Sequence, residues 1–169
     1  MRLIKAVLVL ATLMCFAVGA YAIHETLPAE TQVVLPGPDA EALAKYLTRL
    51  NPYEGWQLWP GKGKLYEGRE PHGSLLTTYV NDRAINSIRA KSGMADGSVI
   101  VKENYTPDKK LSAITVMYKI SGYNPSGGDY FWAKYGPDWS VQASGKVNAC
   151  IECHGTRSDN DYIFTGKVK

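Results

Sequence analysis

Cysteine is scarce in this sequence, with 3 among 169 residues. That number is too small for a framework of disulfides. An excess of one charge sign is also lacking, because 19 basic and 16 acidic residues leave a net charge of +3. This balance argues against a nucleic acid partner. With 45% hydrophobic and 21% charged residues, the chain is predicted to be globular, and its function has to come from local motifs.

The N-terminal segment has the organisation of a secretory leader. Two basic residues precede an uncharged apolar run at 6–19, and the triplet at 20–22 has the small-x-small form of a signal-peptidase site. We expect a signal peptide over 1–22, export to the periplasm, and no membrane attachment after cleavage. An uncleaved anchor is the alternative, although the run is short for a membrane span. Cys15 is interpreted as an apolar residue of this run.

Hydrophobic patterning after the leader predicts an α+β fold. Apolar residues at helical spacing predict helices, and runs of β-branched and aromatic residues predict strands. The predicted strands lie at 56–59, 74–80, 98–105, 111–120 and 129–135, with an edge strand in the tail at 159–169, and the predicted helices lie at 40–50, 82–93 and 146–154. We expect a single antiparallel β-sheet with a few helices, the C-terminal one carrying the motif described below.

No linker divides the mature chain. We expect an N-terminal extension and helix over 23–54, followed by one domain over 55–169. Asp39 is expected to cap the first helix, and Asn81 or Asp82 the second, since their side-chain oxygens accept hydrogen bonds from free helical N–H groups.

The motif Cys150-Ile151-Glu152-Cys153-His154 has the C-x-x-C-H form of a c-type haem attachment site. Two thiols three residues apart lie on one side of a helical turn, so both can bond to one edge of a porphyrin. The following histidine can reach the iron as its proximal ligand. A redox-active cysteine pair, a zinc site and a small structural disulfide are the alternatives.

The sequence does not identify the second axial ligand of the haem iron, opposite His154. No Met or His follows His154, so the candidates are His24, His72, Met94 and Met117. His72 lies in a Pro-His-Gly turn, where an imidazole is expected in solvent, and Met117 lies in a predicted strand, where it is expected to fill the core. We therefore expect a five-coordinate iron with an open face, as small-ligand binding or oxidation requires.

Several segments besides the haem motif carry a family resemblance. They are HGSLLTTYVND at 72–82, DGSVIVKENY at 96–105, ITVMYKI at 114–120 and DNDYIFT at 159–165. In this order they resemble the cytochrome P-460 family and its non-crosslinked relative, cytochrome c′-beta, over residues 55–169. The resemblance implies one covalent haem c and chemistry on small nitrogenous molecules.

In the cytochrome P-460 type, a lysine is bonded to the porphyrin rim, and Lys102 matches that lysine by its segment. The residue pattern adds a physical reason, because Lys102 shares a strand face with Ile100. An amine partly desolvated there has a lowered pKa and is a better nucleophile. The alternative is a strand lysine with its amine in water, beside Glu103.

The resemblance places a distal residue over the iron, and Thr115 stands where hydroxylamine-oxidising relatives carry a carboxylate. Strand alternation predicts Thr115 and Met117 on one face, and places Glu103 on the face opposite Lys102. A threonine can donate a hydrogen bond to a bound ligand but cannot act as a base near neutral pH. This difference weakens the case for hydroxylamine oxidation.

Three functions follow from these observations. The first is an oxidoreductase that acts on hydroxylamine or nitric oxide, the second a non-enzymatic gas-binding cytochrome, and the third an electron carrier with an upstream sixth ligand. A redox partner cytochrome is expected for the first and third, and the resemblance implies a homodimer.

Overall fold

The structure is a computed structural model that describes residues 34–169. The predicted signal peptide, Cys15 and His24 lie outside the described residues. Residues 34–169 contain three α-helices, α1 (Ala40–Lys45), α2 (Asp82–Ala90) and α3 (Asn148–Gly155), and α1 continues into a π-helical turn, Tyr46–Leu50. The strands are β1 (Gln57–Leu58), β2 (Tyr66–Glu67), β3 (Leu75–Val80), β4 (Val99–Tyr105), β5 (Leu111–Lys119), β6 (Tyr130–Tyr135) and β7 (Val141–Gly145).

All seven strands form one antiparallel sheet. Its order is β1-β3-β4-β5-β6-β7, and β2 also pairs with β3, at the start of that strand, whereas β1 pairs with its end. The three long neighbours β3, β4 and β5 are rich in β-branched and aromatic residues, which suit a sheet that is covered on both faces. The predicted α+β class, the single antiparallel sheet and the C-terminal helix with the C-x-x-C-H motif are confirmed.

Each face of the sheet has its own apolar core. On one face, Leu43 and Leu47 of the N-terminal helix pack without exposure against alternate residues of the long strands, such as Val101 and Val116. The other face, which we call the site face, packs against α2, α3 and the C-terminal residues. Strand register places six neighbouring side chains on the site face: Ile100, Lys102, Thr115, Met117, Trp132 and Lys134.

Two helix starts agree with the predicted caps. The Asp39 side chain accepts a hydrogen bond from the backbone N–H of Ala42 at 2.7 Å. Asn81 Oδ1 accepts from the N–H groups of Ala84 and Val99, both at 3.0 Å, and therefore ties the start of α2 to β4. Among the described residues, no helix has the length and apolar character needed to cross a membrane.

The C-terminal tail, residues 156–169, forms a 3₁₀ turn (Ser158–Asn160) and irregular chain. The predicted edge strand at 159–169 is wrong. Buried Asn160 supplies the physical reason, because its amide nitrogen donates to the carbonyls of Ile163 and Gly166 at 2.8 Å each, while its oxygen accepts from Val168 N–H at 2.9 Å. These bonds satisfy backbone groups that a strand would pair in a ladder.

Candidate functional site

The two cysteines of the motif lie on α3. Cys150 is half-buried beside the core of the site face, and Cys153 is exposed. Both are free thiols, and their spacing of three residues places them on neighbouring positions of the helix surface. Burial raises the pKa of the Cys150 thiol. Since neither cysteine is in a disulfide, the pair is available for bonds to an external group.

His154, at the end of the same helix, is held in one orientation and one tautomer. Its side chain is buried, and its Nδ1 lies 2.7 Å from the carbonyl oxygen of Tyr162. A carbonyl oxygen only accepts, so Nδ1 carries the proton and Nε2 keeps its lone pair. Burial lowers the pKa of His154, which favours the neutral ring. Metal-binding histidines in proteins commonly have this arrangement.

The carbonyl that orients His154 belongs to the C-terminal tail, which two polar side chains fix in place. Asn160 closes the tail on itself, as described above. Asp161 accepts a hydrogen bond from the backbone N–H of Met94 at 2.6 Å and forms a 2.8 Å ion pair with Lys119. The orientation of His154 thus depends on side chains that the sequence motif does not include.

The site cavity lies between the sheet, the tail and the loop before β3. It is lined by His72, Ile100, Lys102, Thr115, Met117, His154, Ile163, Phe164 and Thr165. A side cleft of about 460 Å³ adjoins it, since His72 and Thr115 line both. The side cleft is lined mainly by polar residues and has the volume of an ordinary small-molecule pocket. The two cavities together place His154, Lys102 and Thr115 around one space.

Lys102 faces the site cavity from the middle of β4. It lies in register between Thr78 of β3 and Thr115 of β5, on the same side as Ile100. Burial lowers the pKa of its ammonium group to about 8, so the uncharged amine is present in an appreciable fraction near neutral pH. The structure therefore places Lys102 where strand alternation predicts it.

Glu103 lies on the opposite face of the sheet. Its two carboxylate oxygens accept hydrogen bonds from the hydroxyls of Tyr53 at 2.8 Å and Tyr105 at 2.7 Å. The same bonds, together with burial, raise the pKa of both tyrosines well above the ordinary value. Glu103 thus belongs to a buried polar cluster away from the site cavity, whose described lining contains no carboxylate.

Thr115 and Met117 share the site face, as predicted. The Thr115 hydroxyl accepts a hydrogen bond from the Asn104 amide at 3.2 Å and lies 3.4 Å from the carbonyl of Lys102, to which it donates. Its oxygen is also 3.5 Å from Nδ1 of His72. Thr115 therefore belongs to a polar group at the mouth of the site cavity.

His72 is placed differently from the sequence expectation. It is half-buried, with its Nδ1 3.1 Å from Oδ1 of Asn104, and its ring centroid is 6.0 Å from that of His154. A Pro-His-Gly turn gives no local signal of this, because the contact depends on the packing of the loop against β4. Asn104 was not among the predicted site residues for the same reason.

The donor set fits a covalently attached haem. Two thiols and a neutral imidazole come from one helical turn, and apolar side chains from the sheet and the tail wall the space beside them. Trp132 packs against His154 with ring centroids 4.7 Å apart, and its buried Nε1–H has no hydrogen-bond partner among the described residues. Phe164, also beside His154, is 48% exposed. A bound macrocycle would cover such a surface.

A family model described as Cytochrome P460 matches residues 52–165, which is more than half of the chain. The matched region includes His72, Lys102, Thr115 and the complete C-x-x-C-H motif. No curated protein matches the chain.

Proposed function

Since this chain belongs to the cytochrome P460 family, a family of haem proteins, we propose that it is an exported monohaem c-type protein that binds small nitrogenous molecules and exchanges electrons with them. Cys150 and Cys153 attach the haem, and His154 is its proximal ligand. One observation carries the proposal: the C-x-x-C-H histidine is buried and its Nδ1–H is committed to the Tyr162 carbonyl, so that its Nε2 lone pair remains for a metal.

This hydrogen bond has a defined effect on the proximal ligand. An imidazole that donates its Nδ1–H becomes a stronger electron donor through Nε2, and its plane is fixed. The two thiols hold the helix to the porphyrin edge, so the position of His154 relative to the iron is determined by the covalent attachment. A haem iron supplies a one-electron redox couple and a coordination position for small ligands such as nitric oxide or hydroxylamine.

The residues of the site cavity favour a small, uncharged or weakly basic ligand. Ile100, Met117 and Ile163 exclude water, and Thr115 offers a hydroxyl that can donate a hydrogen bond. The ammonium form of Lys102, which predominates below its pKa of about 8, disfavours cationic ligands. The side cleft gives a small molecule a route to Thr115.

Catalysed oxidation of hydroxylamine is the second candidate function. It needs a proton acceptor near the substrate, and Thr115 cannot serve as one. The observation that favours this candidate is His72, whose pKa is lowered to about 4, first by burial and then by the charge of Lys102. A neutral imidazole in the lining can accept a proton, but a pKa of about 4 makes it a weak base, and the described lining contains no carboxylate.

Lys102 is the residue at which the family resemblance places a bond to the porphyrin rim. Its lowered pKa and its place in the site cavity support a position at the haem edge. A peptide digest of the mature protein tests the bond directly. A haem that carries only the α3 peptide shows an uncrosslinked centre, and a haem that carries the α3 and β4 peptides shows the crosslink.

The cellular setting forms part of the proposal. The leader over 1–22 supports periplasmic localisation, where haem attachment to thiols takes place. An exported redox partner, such as another cytochrome, would supply or remove electrons. The homodimer implied by the resemblance is tested by light scattering of the purified protein.

The proposal is tested by expressing the full chain with a c-type haem ligation system. We expect a coloured protein whose mass equals the chain from residue 23 plus one haem, and a colourless product from the double variant Cys150→Ala/Cys153→Ala. A colourless wild-type protein contradicts the proposal. Nitric oxide binding without hydroxylamine turnover supports the binding function, whereas turnover with an artificial electron acceptor supports the second candidate.

A further inference from the structure

Two histidines from distant parts of the chain meet across the site cavity. His72 comes from the loop before β3, and His154 from the end of α3. Both line the site cavity, their ring centroids are 6.0 Å apart, and their planes are inclined at 85°. The function proposed above uses only His154 as a ligand.

The tautomer of His72 is determined by its neighbour Asn104. The amide nitrogen of Asn104 donates to the backbone carbonyls of Lys102 at 2.9 Å and Ala113 at 3.1 Å, and these oxygens only accept. The amide oxygen of Asn104 therefore faces His72 and must accept from its Nδ1–H. As a result, Nε2 of His72 carries the lone pair.

His72 and His154 thus share two properties. Each donates its Nδ1–H to a fixed oxygen of the protein, which is the arrangement of a metal-binding histidine. Each keeps an Nε2 lone pair on a ring that lines the site cavity.

The distance between the rings supports a common role. With a metal–nitrogen bond of about 2.0 Å on either side, opposed ligating imidazoles have their ring centroids roughly 6.4 Å apart. The observed 6.0 Å is close to this separation. A histidine that only hydrogen-bonds to an iron-bound molecule would have to stand farther away, because that molecule lies between the ring and the metal.

We propose that His72 is the sixth ligand of the haem iron, opposite His154, and that a small molecule reaches the iron by displacing it. The inference rests on the proposed haem function and adds a competing group at its ligand-binding position. The resting protein is then six-coordinate and low-spin, in contrast to the open face expected from the sequence. Asn104 is a positioning residue, since it acts through His72.

The test compares optical and electron paramagnetic resonance spectra of the haem-loaded full chain with those of His72→Ala, His72→Gln and Met117→Leu. Met117 lines the same cavity and is the competing candidate for the ligand. We expect a low-spin wild type and Met117→Leu, and high-spin His72 variants that return to low spin when imidazole is added. Loss of the competing ligand should raise the apparent affinity for nitric oxide by about tenfold or more.

The outcomes separate the two proposals. A haem-free product contradicts the proposed function. A haem-loaded but high-spin wild type, or low-spin His72 variants, overturns the sixth-ligand proposal alone. A low-spin signal that is lost only in Met117→Leu assigns the position to Met117 and also overturns it. The wild-type spectrum requires no substitution, so the test does not depend on the folding of any variant.

Discussion

Replacement of Asn160 by alanine tests whether the C-terminal tail determines the orientation of His154. Asn160 is 4% exposed, and its side chain donates to the carbonyls of Ile163 and Gly166 and accepts from the N–H of Val168. The variant leaves these backbone groups without partners, and Val168 is completely buried. The tail residues that follow Tyr162 lose this attachment, whereas Asp161 on its other side keeps its bonds to Met94 and Lys119.

The expected loss follows from the number of hydrogen bonds. A buried hydrogen bond contributes about 1 kcal/mol net, and an unsatisfied buried N–H costs about 1–3 kcal/mol, so Asn160→Ala should lower the free energy of unfolding by roughly 3 kcal/mol. Urea denaturation of the haem-loaded protein, followed by circular dichroism, measures this change. Resonance Raman spectroscopy of the ferrous protein would report the iron–histidine bond of the proposed haem, and its signal should change because the Tyr162 carbonyl, which accepts from Nδ1 of His154, is then held from one side only.

Asn81→Ala is the matched control. The Asn81 side chain makes three hydrogen bonds to the backbone, to Ala84, Val99 and Gly97, at the start of α2, whereas Asn160 makes four, the fourth with the N–H of Lys169 at 3.3 Å. We expect a similar loss of stability without a change in the iron–histidine signal. The reasoning is refuted if Asn160→Ala loses less than about 1 kcal/mol, or if the two variants change that signal equally.

Three further substitutions give defined expectations. Lys119→Met removes the cation that pairs with the largely buried Asp161 carboxylate. We expect the free energy of unfolding, measured by urea denaturation, to fall by about 3 kcal/mol. An unchanged midpoint would contradict the importance of this ion pair. Gly73→Ala places a Cβ on a backbone with φ of +98° and 2.8 Å from a carbonyl oxygen of β4. The free energy of unfolding should fall by about 1–3 kcal/mol in the same measurement. An unchanged value would be incompatible with this turn. Asn104→Leu removes the acceptor for Nδ1–H of His72. In titrations of the haem-loaded protein, we expect imidazole or nitric oxide to compete with His72 about 10–100-fold better than in the wild type. An unchanged affinity would mean that Asn104 does not position His72.

The parts of this structure that the sequence predicts are those with strong local signals. Runs of β-branched and aromatic residues mark β3, β4 and β5, and the side-chain oxygens of Asp39 and Asn81 mark two helix starts. Strand alternation also assigns faces, with Lys102 on one side and Glu103 on the other. The strand β7 was missed because VQASG is largely exposed at the edge and lacks an apolar alternation.

The site is only partly readable from the sequence, because its contacts join distant segments. The C-x-x-C-H motif identifies Cys150, Cys153 and His154 by spacing alone. The contact of His72 with Asn104 depends instead on how a loop packs against β4, and the Tyr162 carbonyl depends on the turn that Asn160 holds. Every residue has a backbone carbonyl, so the sequence does not show which one accepts a hydrogen bond from His154.

The construction of α3 has a consequence for how the protein matures. The helix has eight residues, and its N-cap residue Val147 provides no side-chain hydrogen bond. A helix this short and uncapped is marginal on its own, whereas the central strands are paired on both sides. We therefore expect the segment with the two thiols to open more readily than the sheet, so that under the proposed haem attachment both sulfurs would be accessible in a protein whose sheet is already folded.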